Sequence, residues 1–528
     1  MKKQILSLIV LGAVAMSSCK KYLDVNNNPN QATESSPELL LPQALTYSAA
    51  NIPSLSDYGD WQVGYIANAG GFGGWGSTLT YNYSSDSYTS VWTNQYDVLN
   101  DYQTIIKYAE SDPKYVYYNA VARIMKVFHF QVLVDNYNDI PYSQALKGLD
   151  DIAPSYDNAE AVYKDLYLQL DSAISMIKNA EEPIVSLENS IGSADVMFHT
   201  GTNMTNWLKF ANSLKLKLLI RASNTSALDG VSMDFSDGFL TEDAGVNPGY
   251  SKNDGKQNPT WQTYHSTYSG SRQTTGFSRV PTPFILSFYN GVKISDQRGY
   301  AMYYSFPNTG TNQLGYTGDD ATAGPGGTSW YTGSSRSYNA DEADAVGVLK
   351  NRAMDQPVML LAESKFLEAE AYMKGILPGD AKKAFYDGML ASYTYLFSTY
   401  DGRFVEGDPA VIMAEDTAEN NANALVNWDL ATTNDQKLEA IITQKYIALN
   451  FIHGHESWAE YRRTGYPRNA VSNNPDPITS FISLNSSVTT PDRLPGRILY
   501  PSSEFQVNSE NVPTGLTVND YVFWDRRK

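Results

Sequence analysis

A mainly α-helical fold is predicted by three observations. Apolar residues recur at helical spacing in five separate segments, strand-like alternation is weak throughout, and long Gly- and aromatic-rich stretches separate the helical runs. The 528 residues would allow three average domains and are ample to bury a core without disulfide or metal staples. Only 18% of them are charged, but 42% are hydrophobic, which argues against disorder. A net charge of −18 without any basic stripe excludes a nucleic-acid partner.

In chain order, Lys2 and Lys3 precede an apolar run from Ile5 to Met16 that ends at Ser17, Ser18 and Cys19. That run is too short to span a bilayer, so residues 1–18 read as a signal peptide. Cys19 is the sole cysteine, which rules out a disulfide and a Cys-ligated zinc site. The string A-M-S-S-C resembles a bacterial lipobox, which implies acylation of Cys19 and a membrane anchor of several acyl chains. Cleavage would remove two lysines and no acid, leaving the mature chain more acidic still. A polar tether, K-K-Y-L-D-V-N-N-N-P-N, leads to Ser36-Pro37-Glu38, a helix start with proline at its first position.

Five stripes then follow: Val121, Ile124, Met125, Phe128 and Val132; Val162, Leu166, Leu170, Ala173, Ile174 and Ile177; Trp207, Phe210, Ala211, Leu214 and Leu218; Val358, Leu361, Ala362, Phe366, Ala369 and Met373; and Leu438, Ile441, Ile442, Tyr446, Leu449 and Ile452. Asp157 and Glu160 stand in capping-box spacing before the second. Around the fourth, A-E-A-Y-M-K-G-I-L-P-G-D-A-K-K-A-F resembles a tetratricopeptide turn, although a 34-residue period does not recur cleanly. Between helices, Trp61 to Tyr96 carries nine aromatics and a single charge, Asp86, and Tyr303 to Ala340 carries only Asp319, Asp320 and Arg336. Loops so long and so aromatic are expected to be the working parts.

Enzyme signatures are missing: there is no G-x-S-x-G, H-E-x-x-H, phosphate loop or EF-hand string. Ser111 and Lys114 match S-x-x-K, but Pro113 breaks the helical turn that motif needs. His453, His455 and Glu456 are not spaced as one helix face, and Glu363, Glu368 and Glu370 lie off the apolar stripe, on a solvated or ion-paired face. No catalytic residue, metal ligand or cofactor is expected, and a structural cation is left open.

The C-terminal third carries a resemblance. Met359 to Ala371 (M-L-L-A-E-S-K-F-L-E-A-E-A), Ile441 to Leu449, E-S-W-A-E-Y-R-R-T-G-Y-P from Glu456 to Pro467, R-L-P-G-R-I-L-Y-P from Arg493, and Val522-Phe-Trp-Asp525 resemble successive motifs of the SusD/RagB family of nutrient-binding outer-membrane lipoproteins, in its SusD-like branch. The resemblance implies a SusD-like fold in which tetratricopeptide-like helix pairs form a right-handed superhelical scaffold. It also implies an outer-membrane, lipid-anchored protein facing the cell exterior, which captures oligosaccharides and passes them uncut to a SusC-like TonB-dependent transporter. The organisation expected is a signal peptide over 1–18, a lipid-anchored tether over 19–35 and one domain over 36–528. Within it the helical scaffold occupies about 36–225 and 346–465, a loop-rich ligand-binding region about 226–345, and a C-terminal segment 466–528.

The motif residues Glu456, Trp458, Glu460, Arg462 and Arg463 are read as structural: both arginines as bidentate ion pairs with Glu456 or Glu460, and Trp458 as core beneath them. A sugar presents an apolar face and a rim of hydroxyls, so its binder needs aromatic platforms beside polar groups. Trp75, Tyr81 and Tyr83 before the first helix pair, and Trp261, Tyr264, Tyr268, Arg272, Trp330 and Tyr331 in mid-chain, are the ligand candidates. For each, packing or a transporter contact is the alternative. Capture of peptides by the same architecture is a second reading, and a surface glycoside hydrolase with paired carboxylates a third.

Overall fold

The helical periodicity becomes a series of consecutive helices, each packed on the next. The computed structural model describes residues 36–181, 191–199, 201, 203–318, 328–333, 343–472 and 474–527. Cys19 and the tether, with Asp319, Asp320 and Arg336, lie outside the described residues. The long helices are α1 (Pro37–Gln62), α2 (Thr89–Ala109), α3 (Val116–Tyr137), α4 (Ala159–Lys178), α5 (Thr205–Arg221), α6 (Leu361–Met373), α7 (Ala381–Phe397), α8 (Pro409–Glu419), α9 (Asn434–Leu449) and α10 (Gly454–Thr464). Among the described residues none is long and apolar enough to cross a membrane.

One run pairs α1 with α2, α2 with α3, α3 with α4 and α4 with α5; the other pairs α6 with α7 and α7 with α8. Helix α6 packs on both α5 and α9, and α10 packs on α1, so the two runs share one core. The fold is mainly α. Among the described residues, strands are confined to three two-stranded antiparallel pairs: β1 (Ala67–Asn68) with β5 (Arg279–Val280), β2 (Ile140–Pro141) with β3 (Tyr156–Asp157), and β4 (Ala244–Val246) with β6 (Gln356–Met359).

All five stripes face the core, with local differences. Helix α3 buries nearly its whole circumference, as a helix apolar all round must. The cap of α4 is Asn158, whose Oδ1 accepts from Ala161 N–H at 3.2 Å. Asp157, the expected cap, instead accepts from the Tyr142 and Ser143 amides across β2 and β3. Val358 lies on β6, and α6 begins three residues later. Helix α1 begins with Pro37 at its first position and tolerates Pro53 in its interior, because packing on α2 and α10 outweighs a lost backbone bond. Its crossing with α10 needs glycine on both sides: a Cβ at Gly59 would stand 2.1 Å from the Gly454 carbonyl carbon. The tetratricopeptide-like turn joins α6 to α7 through Gly375, at φ +69°, and Asp380, which caps α7.

The signature E-S-W-A-E-Y-R-R lies on α10, wholly buried in a lattice of charges. Lys217 bridges Glu363 and Glu456 at 2.8 and 3.0 Å, Arg221 bridges Asp135 and Glu456 at 2.6 Å each, and Lys445 reaches Glu460 at 3.0 Å. Arg463 makes the expected bidentate pair, but with Glu370 (2.6 and 2.7 Å), and adds Glu460. Arg462 departs from expectation. Its guanidinium is sandwiched between Trp458 (3.4 Å to the ring centroid) and Trp524 (4.7 Å) and donates to the Asp135 and Gly496 carbonyls. Glu363 and Glu370 are therefore ion-paired in the core, not on a solvated face. Burial opposes the charge of Glu456, but Lys217 and Arg221 outweigh it and hold the carboxyl well below its usual range.

Candidate functional site

The C-terminal end of α1 delivers the chain to β1, whose pairing with β5 holds two surface segments side by side: the Gly-rich loop 69–76 and the stretch 265–280. Ala69 N–H donates to Ser278 O at 2.8 Å and extends the pairing. Gly71 and Gly74 adopt φ of +79° and +85°, which explains glycine at these turns without any demand for space. The loop thereby raises Phe72 and Trp75 out of the core.

Trp75 is half-buried. Its indole N–H donates to Phe72 O at 3.1 Å, and its ring stands edge-on to Trp61 at 5.4 Å between centroids. Arg279, from β5, lies over both tryptophans at 5.1 and 5.9 Å. Phe72 meets Phe277 edge-on at 5.2 Å, and the exposed Arg272 stacks over the Phe277 ring at 3.9 Å. A hairpin closed by the Ser266–Arg272 bridge carries Tyr268, 45% exposed, near its tip. The result is an open platform of aromatic faces with two guanidinium groups along it.

Asp57 on α1 fixes this arrangement. Its carboxylate accepts from Arg279 Nε at 3.0 Å, from the Trp61 indole at 3.1 Å and from Tyr264 OH at 3.3 Å. Burial disfavours the charge on Arg279, but Asp57 outweighs it and raises the guanidinium pKa. With three donors on it, Asp57 is an orienting group and not a free general base. Burial, and then Asp57, push the Tyr264 phenol well above its ordinary pKa, so it stays a proton donor. Such a surface suits a ligand with a flat apolar face and a polar edge.

The structure divides the predicted residues. Trp75, Tyr268 and Arg272 lie on the platform or its hairpin. Tyr264 sits below it and supports Asp57. The other candidates lie in the core or turn inward: Tyr81 receives Ser483 N–H, Tyr83 OH receives Gln62 Nε2, and Trp261 stacks on His265 at 3.7 Å. Trp330 stacks on Phe451 at 3.9 Å and 14° and is fully buried, while the half-buried Tyr331 donates its amide to Met302 O. Trp261 and Trp330 thus present no face to a ligand; a large ring beside other rings is held by packing. Sequence reasoning missed Phe72, Phe277 and Arg279, because only the β1–β5 pairing brings residues 72 and 277 together. Among the described residues no cluster of His, Cys, Asp and Glu is placed to hold a metal. His453 instead hydrogen-bonds the Pro357 carbonyl at 3.0 Å.

Comparison with known proteins accords with this architecture. A family model, SusD-like, described as starch-binding associating with outer membrane, matches residues 29–494. No curated protein matches the sequence. Among solved structures, a chitin-binding SusD homolog from Flavobacterium johnsoniae matches at 23% identity and TM-score 0.66, covering 92% of this chain and 98% of its own. A SusD homolog from Parabacteroides distasonis matches at 19% and TM-score 0.67, over 93% and 98%. One from Bacteroides uniformis matches at 23% and 0.63, over 92% and 99%. The chain belongs to the SusD-like family.

Proposed function

From that membership we propose that the protein captures oligosaccharides on the platform of Phe72, Trp75, Arg272, Phe277 and Arg279 and passes them uncut to a SusC-like TonB-dependent transporter. In this reading an acylated Cys19 anchors it in the outer membrane, facing outward. The observation that carries the reading is the Gly-rich loop holding Trp75 beside Arg279, outside the core, at the junction of two surface segments. The starch-binding description of the family and the chitin-binding homolog from Flavobacterium johnsoniae favour a glycan over a peptide. Glycosidic cleavage needs two carboxylates facing one cleft, and the platform's carboxylate, Asp57, is already committed to its own arginine.

Calorimetry against starch- and chitin-derived oligosaccharides and against oligopeptides tests the ligand class. Glycan binding that falls about tenfold or more in Trp75→Ala, with unchanged melting, is the expected result. Binding of peptides alone would move the protein to the peptide-capturing reading. Cys19→Ala should shift the protein from the membrane to the soluble fraction, and co-purification with a large β-barrel from outer-membrane extracts tests the transporter.

A further inference from the structure

A cavity of about 440 Å³ opens between α2, α3, α4 and the loop at 142–147, on a different part of the fold from the aromatic platform. Its lining carries four cations, Lys107, Arg123, Lys126 and Lys147, against one acid, Glu110. In a chain of net charge −18 this is a concentration of the minority sign. Lys107 and Lys147 are exposed at the mouth, whereas Arg123 and Lys126 are partly buried in the wall. Phe130, Leu146 and Leu166 supply an apolar floor.

The two wall cations differ in how they are satisfied. Every nitrogen of the Arg123 guanidinium has an acceptor: Nε donates to Asn119 at 2.8 Å, Nη1 to Gln169 at 2.8 Å and Nη2 to Glu110 at 3.1 Å. The Lys126 ammonium donates to a neutral amide, Gln103 Oε1, at 2.5 Å, and has no carboxylate within ion-pair distance among the described residues. Asp165, on α4 outside the lining, accepts from Tyr142 OH and Gln169 Nε2. An ammonium retains unused donors when its one partner is an amide. A cavity of this size, with an apolar floor and several convergent polar groups, can enclose a small ligand and fix its orientation.

We propose that this cavity binds a small organic carboxylate, with its charged group on Lys126 and its apolar face against Phe130, Leu146 and Leu166. Arg123 and its Glu110 partner frame one side, and Lys107 and Lys147 attract the anion to the mouth. The carboxylate could be carried by an acidic sugar or by a free apolar acid; both share the recognition chemistry. Burial, with help from Arg123 and Lys107, pulls the Lys126 pKa down to about 8 against the opposing influence of Asp165 and Glu110. A bound anion reverses that cost, so affinity should decline as the pH passes 8.

The test is calorimetry of the purified protein with trigalacturonate, phenylacetate and, as a neutral control, phenylacetamide. Binding of one or both acids, weakened about tenfold or more by Lys126→Met and unchanged by Trp75→Ala, is the expected result. Trigalacturonate alone would identify an acidic sugar, and phenylacetate alone a free acid. Raising the pH from 7 to about 9.5 should weaken acid binding roughly tenfold in the parent and leave Lys126→Met unmoved. Should Lys126→Met fail to fold, Lys147→Ala at the exposed mouth should still weaken binding about threefold. No binding of either acid, or acid binding indifferent to Lys126 or, in that event, to Lys147, overturns the proposal.

Discussion

The buried lattice under α10 and the open platform beside β1 use the same chemical parts, arginines, carboxylates and tryptophans, to opposite ends. In the lattice, Arg462 is closed between Trp458 and Trp524, and Arg221, Arg463 and Lys217 are each matched by carboxylates. On the platform, Arg279 bonds Asp57 and the Thr275 carbonyl and lies over the buried Trp61 and the half-buried Trp75. What separates scaffold from site is which ring faces remain uncovered. The residues that write the most specific motif therefore build the frame, and residues without a motif build the platform.

The comparison is broken most forcefully at the lattice. Glu456→Ala or Arg463→Ala leaves buried charges unpaired and should cost about 3–5 kcal/mol in chemical denaturation. Glycan affinity of the protein that remains folded should be unchanged. A loss of less than about 1 kcal/mol would show that the lattice is solvated and does not act as frame. Trp330→Ala should cost about 3–5 kcal/mol by emptying a packed site against Phe451. Trp75→Ala should cost under about 1 kcal/mol. If Trp75→Ala destabilises as much as Trp330→Ala, the platform is core and the contrast fails.

Acid sharpens the frame further. Burial lowers the pKa of His129 and His455 to about 3 from 6.5, so both are neutral when folded. Between those values the unfolded chain binds more protons, so their contribution is intact above pH 6.5 and is lost as the pH falls toward 3. Melting followed from pH 7 to 4 should show this decline, and His129→Gln should flatten it. Asp60 has the opposite sign. Burial pushes its carboxyl well above its ordinary value, and neither oxygen has a hydrogen-bond partner among the described residues. Its folded form keeps a proton that the unfolded form gives up above pH 3.8, so it subtracts stability as the pH rises. Asp60→Asn should accordingly gain about 1 kcal/mol at pH 7 and nothing at pH 3.

Much of the scaffold was legible because helical periodicity is local. The stripe from Trp207 to Leu218 and that from Leu438 to Leu449 are core faces of α5 and α9. Helix α1 carries two interior prolines, and it forms because neighbouring helices hold it. The Trp61–Tyr96 stretch reads as one aromatic loop, yet Trp61, Tyr65, Tyr81, Tyr83 and Trp92 pack inward, while Phe72 and Trp75 on the Gly-rich loop stay half-buried. Composition registers the aromatic rings but not the direction in which each one faces.

The sequence by itself determined the mainly helical class, the positions of the apolar stripes and, through the α10 and C-terminal motifs, membership of the family. Those signals lie within single helices or short strings, where spacing alone fixes which side chains share a face. Only the tertiary structure decided that Arg462 would stack between tryptophans, that Trp330 would be core, and that Phe277 and Arg279 would join Trp75 at the surface. Each of those outcomes depends on residues far apart in the chain. Phe277 and Arg279 reach Trp75 through the pairing of β1 with β5, Arg462 meets Trp524 of the C-terminal segment and Trp330 meets Phe451, and a contact between distant segments leaves no local spacing to read.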